Sequence, residues 1–251
     1  MKIRELLALS SLLIVLCGSV ALADVIVAPN TQATAEGNDN NFGPFFDTSV
    51  RYQQVYSASQ FPSTGPLSIT QIAFRPDASV TDPSLFIRFD SVRIDLSTTS
   101  RTPGTLSTVF ANNVGANNTT VFDSFLFVNT PVTGPAAGPK NFIVTFTLSP
   151  FTYDPSLGNL LLDVRAFESS GGISAPFDAQ SSSPFTAHVD ASGVGSTSGS
   201  IIATGLVTQF QFTPVQATST PEPSALLLTS AGVLLLASLA RWRSRRTGLS
   251  N

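Results

Sequence analysis

The chain has very little of what most enzymes use. Its one cysteine is Cys17 and its one histidine is His188. Between Asp24 and Thr220 there is no cysteine, and Lys140 is the sole lysine. A disulfide framework is therefore excluded for that segment, as are a Cys/His zinc site and a Cys–His nucleophilic pair. A Ser-His-Asp triad would have to use His188, within a Ser/Gly-rich stretch, and no G-x-S-x-G elbow exists; "GSTSG" centres on Thr197. His188 reads as a surface residue and Lys140, between Pro139 and Asn141, as a turn residue. Charge is scarce too, at 12% of residues. Residues 24–220 hold fourteen acids and seven bases, net −7. An acidic surface argues against nucleic acid as a partner, because phosphate needs a basic face.

Hydrophobic runs are confined to the two ends. Met1–Ala23 has Lys2 and Arg4, an apolar stretch from Leu6 to Val20, and Ala21-Leu22-Ala23 as a small-x-small cleavage signature. It reads as a secretory signal peptide cut after Ala23, in preference to an N-terminal anchor. Leu16 is too bulky to precede a lipoprotein cysteine, so Cys17 is an apolar residue of the signal. At the other end, Ser224–Ala240 is 17 residues without a charge. As a helix it is ~25 Å long, the short end of what spans a ~30 Å hydrocarbon core. Arg241, Arg243, Arg245 and Arg246 follow, with Trp242 at the interface, as expected for a stop-transfer segment whose arginines snorkel outward. The alternative is a buried core helix.

Pro221 and Pro223 hold the chain extended just before that helix, and the preceding "VQATST" makes an exposed linker. Pro221-Glu222-Pro223, then the apolar Ala225–Ala240, then the basic Arg241–Arg246, resembles the PEP-CTERM sorting signal of Gram-negative exported proteins. The resemblance implies recognition of the triplet and removal of the tail by an exosortase. It implies the secretion machinery as a partner, and a setting of extracellular polysaccharide production. The expected organisation is a signal peptide (1–23), a β domain (24–215), a linker (216–223), a transmembrane helix (224–240) and a basic cytoplasmic tail (241–251). The expected location is the inner membrane before processing, then the cell surface or the medium.

In the domain, "NFIVTFTL", "NLLLDVRAF" and "GLVTQFQF" alternate apolar and polar residues with period two, the mark of half-buried antiparallel strands. Val50–Ala58, Ser68–Arg75, Ser107–Ala111 and Val121–Val128 read as further strands. "RYQQVYSASQF" also fits a helical face but is taken as strand. In "FIRFDSVRIDLSTTS" the apolar phase flips from Ile87 and Phe89 to Val92, Ile94 and Leu96, which predicts a β-bulge at Asp90–Ser91. Ser169–Ser200, with ten serines and five glycines, reads as a long loop holding one short strand near Ala187–Asp190. The fold class that follows is all-β, an antiparallel, jelly-roll-like sandwich of about nine strands, plus the two terminal helices. "EGNDNNFGPF", "ITQIAFRPD", "FANNVGANNTTVF" and "GNLLLDVR" resemble, in order, an uncharacterised family of exported PEP-CTERM proteins. That likeness implies one continuous domain and no transferable activity.

One constellation could bind a ligand. In "EGNDNNFGPFFD", the side chains of Glu36, Asn38, Asp39, Asn40 and Asp47 are oxygen donors of the kind calcium takes. The EF-hand spacing fails where it should be strict, with Glu36 at position 1 and Asn41 at position 6, and the same residues make ordinary turns. Asp90, Asp95, Asp163 and Asp178 fall where solvated acids sit, with no pair marked for glycosidase chemistry. The reading is therefore a non-enzymatic structural or adhesive surface protein with no catalytic residues and no required cofactor. The alternatives are a lectin-like carbohydrate-binding module, assisted by calcium, and more remotely a secreted glycoside-active enzyme. A binding module should show clustered exposed aromatics, and Tyr52, Tyr56 and Tyr153 are the only tyrosines.

Overall fold

A computed structural model describes residues 23–45, 49–62, 65–171 and 175–215, together with Gly232, Leu236 and Arg241. The chain divides into two units, Met1–Val215 and Gln216–Asn251. In the second, Gly232, Leu236 and Arg241 are helical. The expected signal peptide up to Leu22, with Ala21, lies outside the described residues. So do Pro221, Glu222, Pro223, Arg243, Arg245, Arg246 and most of the expected transmembrane helix. Ala23 is described and exposed. Among the described residues no helix is long and apolar enough to cross a membrane.

The described residues of the first unit are mostly β, with a few short 3-10 turns. Its strands are β1 (Asp24–Ala28), β2 (Asp39–Asn41), β3 (Val50–Tyr56), β4 (Leu67–Phe74), β5 (Ser84–Thr99), β6 (Thr119–Pro131) and β7 (Val144–Tyr153). There follow β8 (Asn159–Gly171), β9 (Phe177–Ser181), β10 (Thr186–Ser192), β11 (Ser200–Ile202), β12 (Thr204–Leu206) and β13 (Thr208–Pro214). All pairing is antiparallel. One sheet runs β1-β13-β4-β7, a second β11-β10-β3-β8-β5-β6, and a third β12-β9-β2.

Alternation places the core. On β5, Leu85, Ile87 and Phe89 face inward while Phe86 and Arg88 face out. The register between β5 and β6 shifts between Phe89 and Val92, so the bulge expected at Asp90–Ser91 is present. It restores the inward phase for Val92, Ile94 and Leu96, all fully buried. The inward rows of β7 (Val144, Phe146, Leu148) and β8 (Leu160, Leu162, Val164, Ala166) complete a continuous core. Phe45, on a short 3-10 turn at Gly43–Phe45, fills its middle.

Among the described residues thirteen strands form where about nine were expected; the additions are β1, β2, β12 and, within Ser169–Ser200, β9 and the start of β11. That segment carries the end of β8, then β9, β10 and the start of β11, not one strand in a loop. β9 (FDAQS) is short and polar, with one serine and no glycine, so it shows no clear alternation, and it pairs because β2 and β12 supply its partners. Conversely, Ser107–Ala111 is no strand. It has a single bridge at Val109 and a 3-10 turn at Phe110–Asn112. There the Asn113 side chain accepts from Ser107 N–H and donates to the Ser107 carbonyl, a local bonding pattern that competes with a ladder.

Candidate functional site

The described part of the oxygen-rich run is not one loop. Asp39–Asn41 is β2, which pairs with β9, so successive side chains diverge. Asn38 Oδ1 accepts from the Ser181 N–H at 2.8 Å and its hydroxyl at 3.2 Å. Asp39 Oδ2 accepts from the Thr204 hydroxyl at 2.9 Å, and its Oδ1 from the Asn40 N–H at 2.9 Å. Asn40 is exposed, and Asp47 lies outside the described residues. Among the described donors of this run, strand pairing directs Asn38 and Asp39 to partners on β9 and β12.

Among the described donors Glu36 turns inward, and there it meets two acids from elsewhere in the chain. Carboxylate oxygens of Glu36, Asp77 and Asp178 lie within 4.8 Å of one another. Arg75 stands among them, 1% exposed. Its Nε donates to Asp178 Oδ2 at 2.7 Å, and one terminal nitrogen donates to the carbonyls of Gln32 at 3.0 Å and Ala35 at 2.6 Å. Its guanidinium lies 5.0 Å from the centre of the Phe142 ring. Asp178 Oδ1 accepts from the Gly37 N–H at 2.8 Å, and Gly37 must be glycine because a Cβ would run into the Ala179 carbonyl. Asp77 Oδ1 accepts from the N–H and hydroxyl of Ser79. Glu36 Oε1 accepts from the Ala78 N–H at 2.7 Å, while Oε2 is buried with no hydrogen-bond partner. Gly138, at φ +78, presses its backbone against that oxygen, where a side chain would collide with it.

Three carboxylates against one guanidinium leave an excess of negative charge in a poorly solvated place. Burial raises the Glu36 carboxyl above its ordinary range, against the Ala78 N–H, with Asp178 adding to the rise. Burial likewise raises Asp178, although Arg75 pulls the other way. Two species relieve this excess: a proton on Glu36 or a bound cation. A carboxyl raised in the folded state stabilises the fold below its unfolded value of 4.5 and loses that contribution as pH rises through the folded value. Glu36→Gln is therefore expected to raise the melting temperature at pH 7 by a degree or two, roughly, and to leave it unchanged at pH 4, as read by thermal denaturation.

The other candidates are placed differently from expectation. Asp90 is exposed as read, but Asp95, Asp163 and Asp178 are buried. The segment between β5 and β6 covers the outer face of the six-stranded sheet, with Leu106 packing on Val55, Leu161 and Ala187. Beneath it Asp163 accepts from Arg51 at 3.0 Å and Gln53 at 2.7 Å, Gln53 bonds Asn113, and Arg93 bonds Asp95. His188 is not a surface residue but 0% exposed on β10. It stacks on Tyr52 at 4.8 Å, its Nδ1–H donates to the Thr204 carbonyl, and Nε2 has no partner. Burial lowers its pKa below the ordinary imidazole value, against the Thr204 carbonyl and Asp190. Lys140 lies in the loop between β6 and β7, just past a turn at 135–138, and donates to the Pro135 carbonyl at 3.0 Å. Tyr52, Tyr56 and Tyr153 are all core residues, and burial raises each phenol.

Among the described residues the exposed aromatics are phenylalanines. Phe86 on β5 and Phe125 and Phe127 on β6 are 40%, 49% and 54% exposed on one outward face. Phe125 and Phe127 stack at 6.5 Å, Phe86 meets Phe127 edge-on at 5.6 Å, and Arg88 lies 5.7 Å from the Phe125 ring centre. The period-two pattern in "FDSFLFVN" held the signal, since alternate residues of a strand share a face.

No protein-family model, curated protein or solved structure matches this chain.

Proposed function

We propose that this chain is an exported, non-enzymatic β-sandwich protein of structural or adhesive type, working at the cell surface or in the extracellular matrix. The observation that carries the reading is the exposed strip of Phe86, Phe125 and Phe127, because clustered apolar side chains at a surface mark a contact site. The acids support it as well. Asp77 and Asp178, in the Glu36 cluster, are buried and hydrogen-bonded within the fold, out of reach of a sugar substrate. We further infer a jelly roll. The nested pairs β1·β13, β3·β8, β4·β7 and β5·β6 are those of an eight-strand ribbon rolled into two facing sheets.

Delivery follows from the terminal segments: export by the signal peptide, a pause in the membrane at 224–240, and processing by an exosortase at Pro221-Glu222-Pro223. Replacing that triplet with three alanines is expected to leave the full chain in the inner-membrane fraction. Immunoblotting of membrane and medium fractions reads the outcome, and unchanged release overturns the sorting assignment.

A second reading, a calcium-assisted carbohydrate-binding module, is favoured by Glu36 Oε2, a buried oxygen without a partner beside two further carboxylates. Millimolar calcium should then raise the melting temperature of the wild-type chain and not that of Glu36→Gln. Equal melting with calcium and with chelator removes this reading.

A further inference from the structure

β6 is the last strand of the six-stranded sheet, paired with β5 on one side only. An unpaired antiparallel edge is a template for another strand, and proteins usually blunt it with lysine, proline, inward charge or a bulge. β6 has none of these along its middle, and its one charged side chain, Asp123, is exposed near the start of the regular run. Its one proline, Pro131, is its last residue, and it has no lysine. Its inward side chains Leu126 and Val128 are apolar. The bulge at Asp90–Ser91 belongs to β5; the irregularity on β6 falls between Thr120 and Phe122. The run from Phe122 to Pro131 is therefore regular, with two phenylalanines facing outward.

We propose that β6 pairs antiparallel with β6 of a second copy of this chain, about a two-fold axis at Leu126, joining two six-stranded sheets into one. An antiparallel edge meeting itself makes an isologous contact, which closes at a dimer. Side-chain alternation permits only registers in which outward residues meet outward residues. Among these, the axis at Leu126 lies at the middle of the regular run. It sets Phe125 opposite Phe127 of the second copy, twice over, so all four rings meet rings. Moving the axis by one residue sets Phe127 against Asp123, or Phe125 against Asn129, in place of those pairs. At Leu126, Asp123 lies opposite Asn129, so no like charges meet. Arg88 comes within ~12 Å, Cα to Cα, of the second copy's Asp123, a span their two side chains can bridge. The contact is smaller than the ~800 Å² per partner of a standard interface. It therefore calls for high local concentration, such as a surface provides. The inference rests on the strand edge and not on the export reading.

Disulfide trapping tests it on the full chain, in a Cys17→Ser background. Opposed antiparallel residues have Cα atoms ~4.5–5.5 Å apart, inside disulfide range. Asp123→Cys mixed with Asn129→Cys should cross-link under mild oxidation at least tenfold faster than either alone, since each variant by itself keeps its two thiols ~20 Å apart. Phe127→Lys in both chains should abolish the difference; the side chain is exposed, so an unchanged melting curve shows that the fold persists. A mixture no faster than the single variants overturns the proposal, as does acceleration that survives Phe127→Lys. If there is no acceleration but cellohexaose shifts the amide resonances of Phe125 and Phe127, the strip is a glycan-binding face instead.

Discussion

Arg75→Ala is expected to lower the free energy of unfolding by about 3–5 kcal/mol, the usual result of removing one partner of a buried ion pair. Arg75 has the charge of one guanidinium in contact with Asp178 and close to Glu36 and Asp77, and it bonds two backbone carbonyls besides. Alanine would strand Asp178, which is 0% exposed, with only the Gly37 N–H to hold it. The carbonyls of Gln32 and Ala35 would lose their donor in the same step. At roughly 2–4 °C per kcal/mol for a domain of this size, the melting temperature should fall by about 10 °C. Urea denaturation of Arg75→Ala, Asp178→Asn and the double variant measures the coupling. A pair that holds the fold makes the double variant less damaging than the sum of the singles. A loss under 1 kcal/mol for Arg75→Ala would mean that the acids are already neutral and the guanidinium dispensable.

Phe45→Ala should cost as much, about 3–5 kcal/mol, but through packing. Phe45 is fully buried and stacks on Phe146 at 5.8 Å. It meets Phe74 at 5.9 Å and Phe177 at 5.7 Å edge-on, and Phe89 at 6.1 Å. Those rings come from β4, β5, β7 and β9, so one side chain joins strands of all three sheets. A cavity there cannot be refilled by sliding one strand, which places the cost at the high end. Phe45→Leu should cost about 1.5 kcal/mol or less, because most of the volume is kept. Phe127→Ala, of the same chemistry on the surface, should stay within about 0.5 kcal/mol. Equal losses for Phe45→Ala and Phe127→Ala in denaturant titrations would contradict this view of the core.

The strands were legible wherever alternation was strong. Val144, Phe146 and Leu148, the inward row of β8, and the phase flip at Asp90–Ser91 could be read in order from the chain, because a strand's two faces are written by its own residues. β10 was legible near Ala187–Asp190, but β9 and β11 were not, since FDAQS and SII are too short to show alternation and pair only when a neighbour is already there. The fate of polar groups was read worst. Asp95, Asp163 and His188 sit at positions that look solvated in one dimension. They are buried because the segment between β5 and β6 and the short β12 fold over them.

The sequence by itself determined, for residues 24–215, a β-rich domain without disulfides, whose strand faces and bulge follow from local periodicity and excluded volume. It also carries the terminal segments on which the export proposal rests. Only the tertiary structure decided that Glu36 meets Asp77 and Asp178 around Arg75, and that Phe86, Phe125 and Phe127 form one strip at a sheet edge. Those meetings depend on which strands become neighbours, and that choice is made by packing the whole core, not by any one segment.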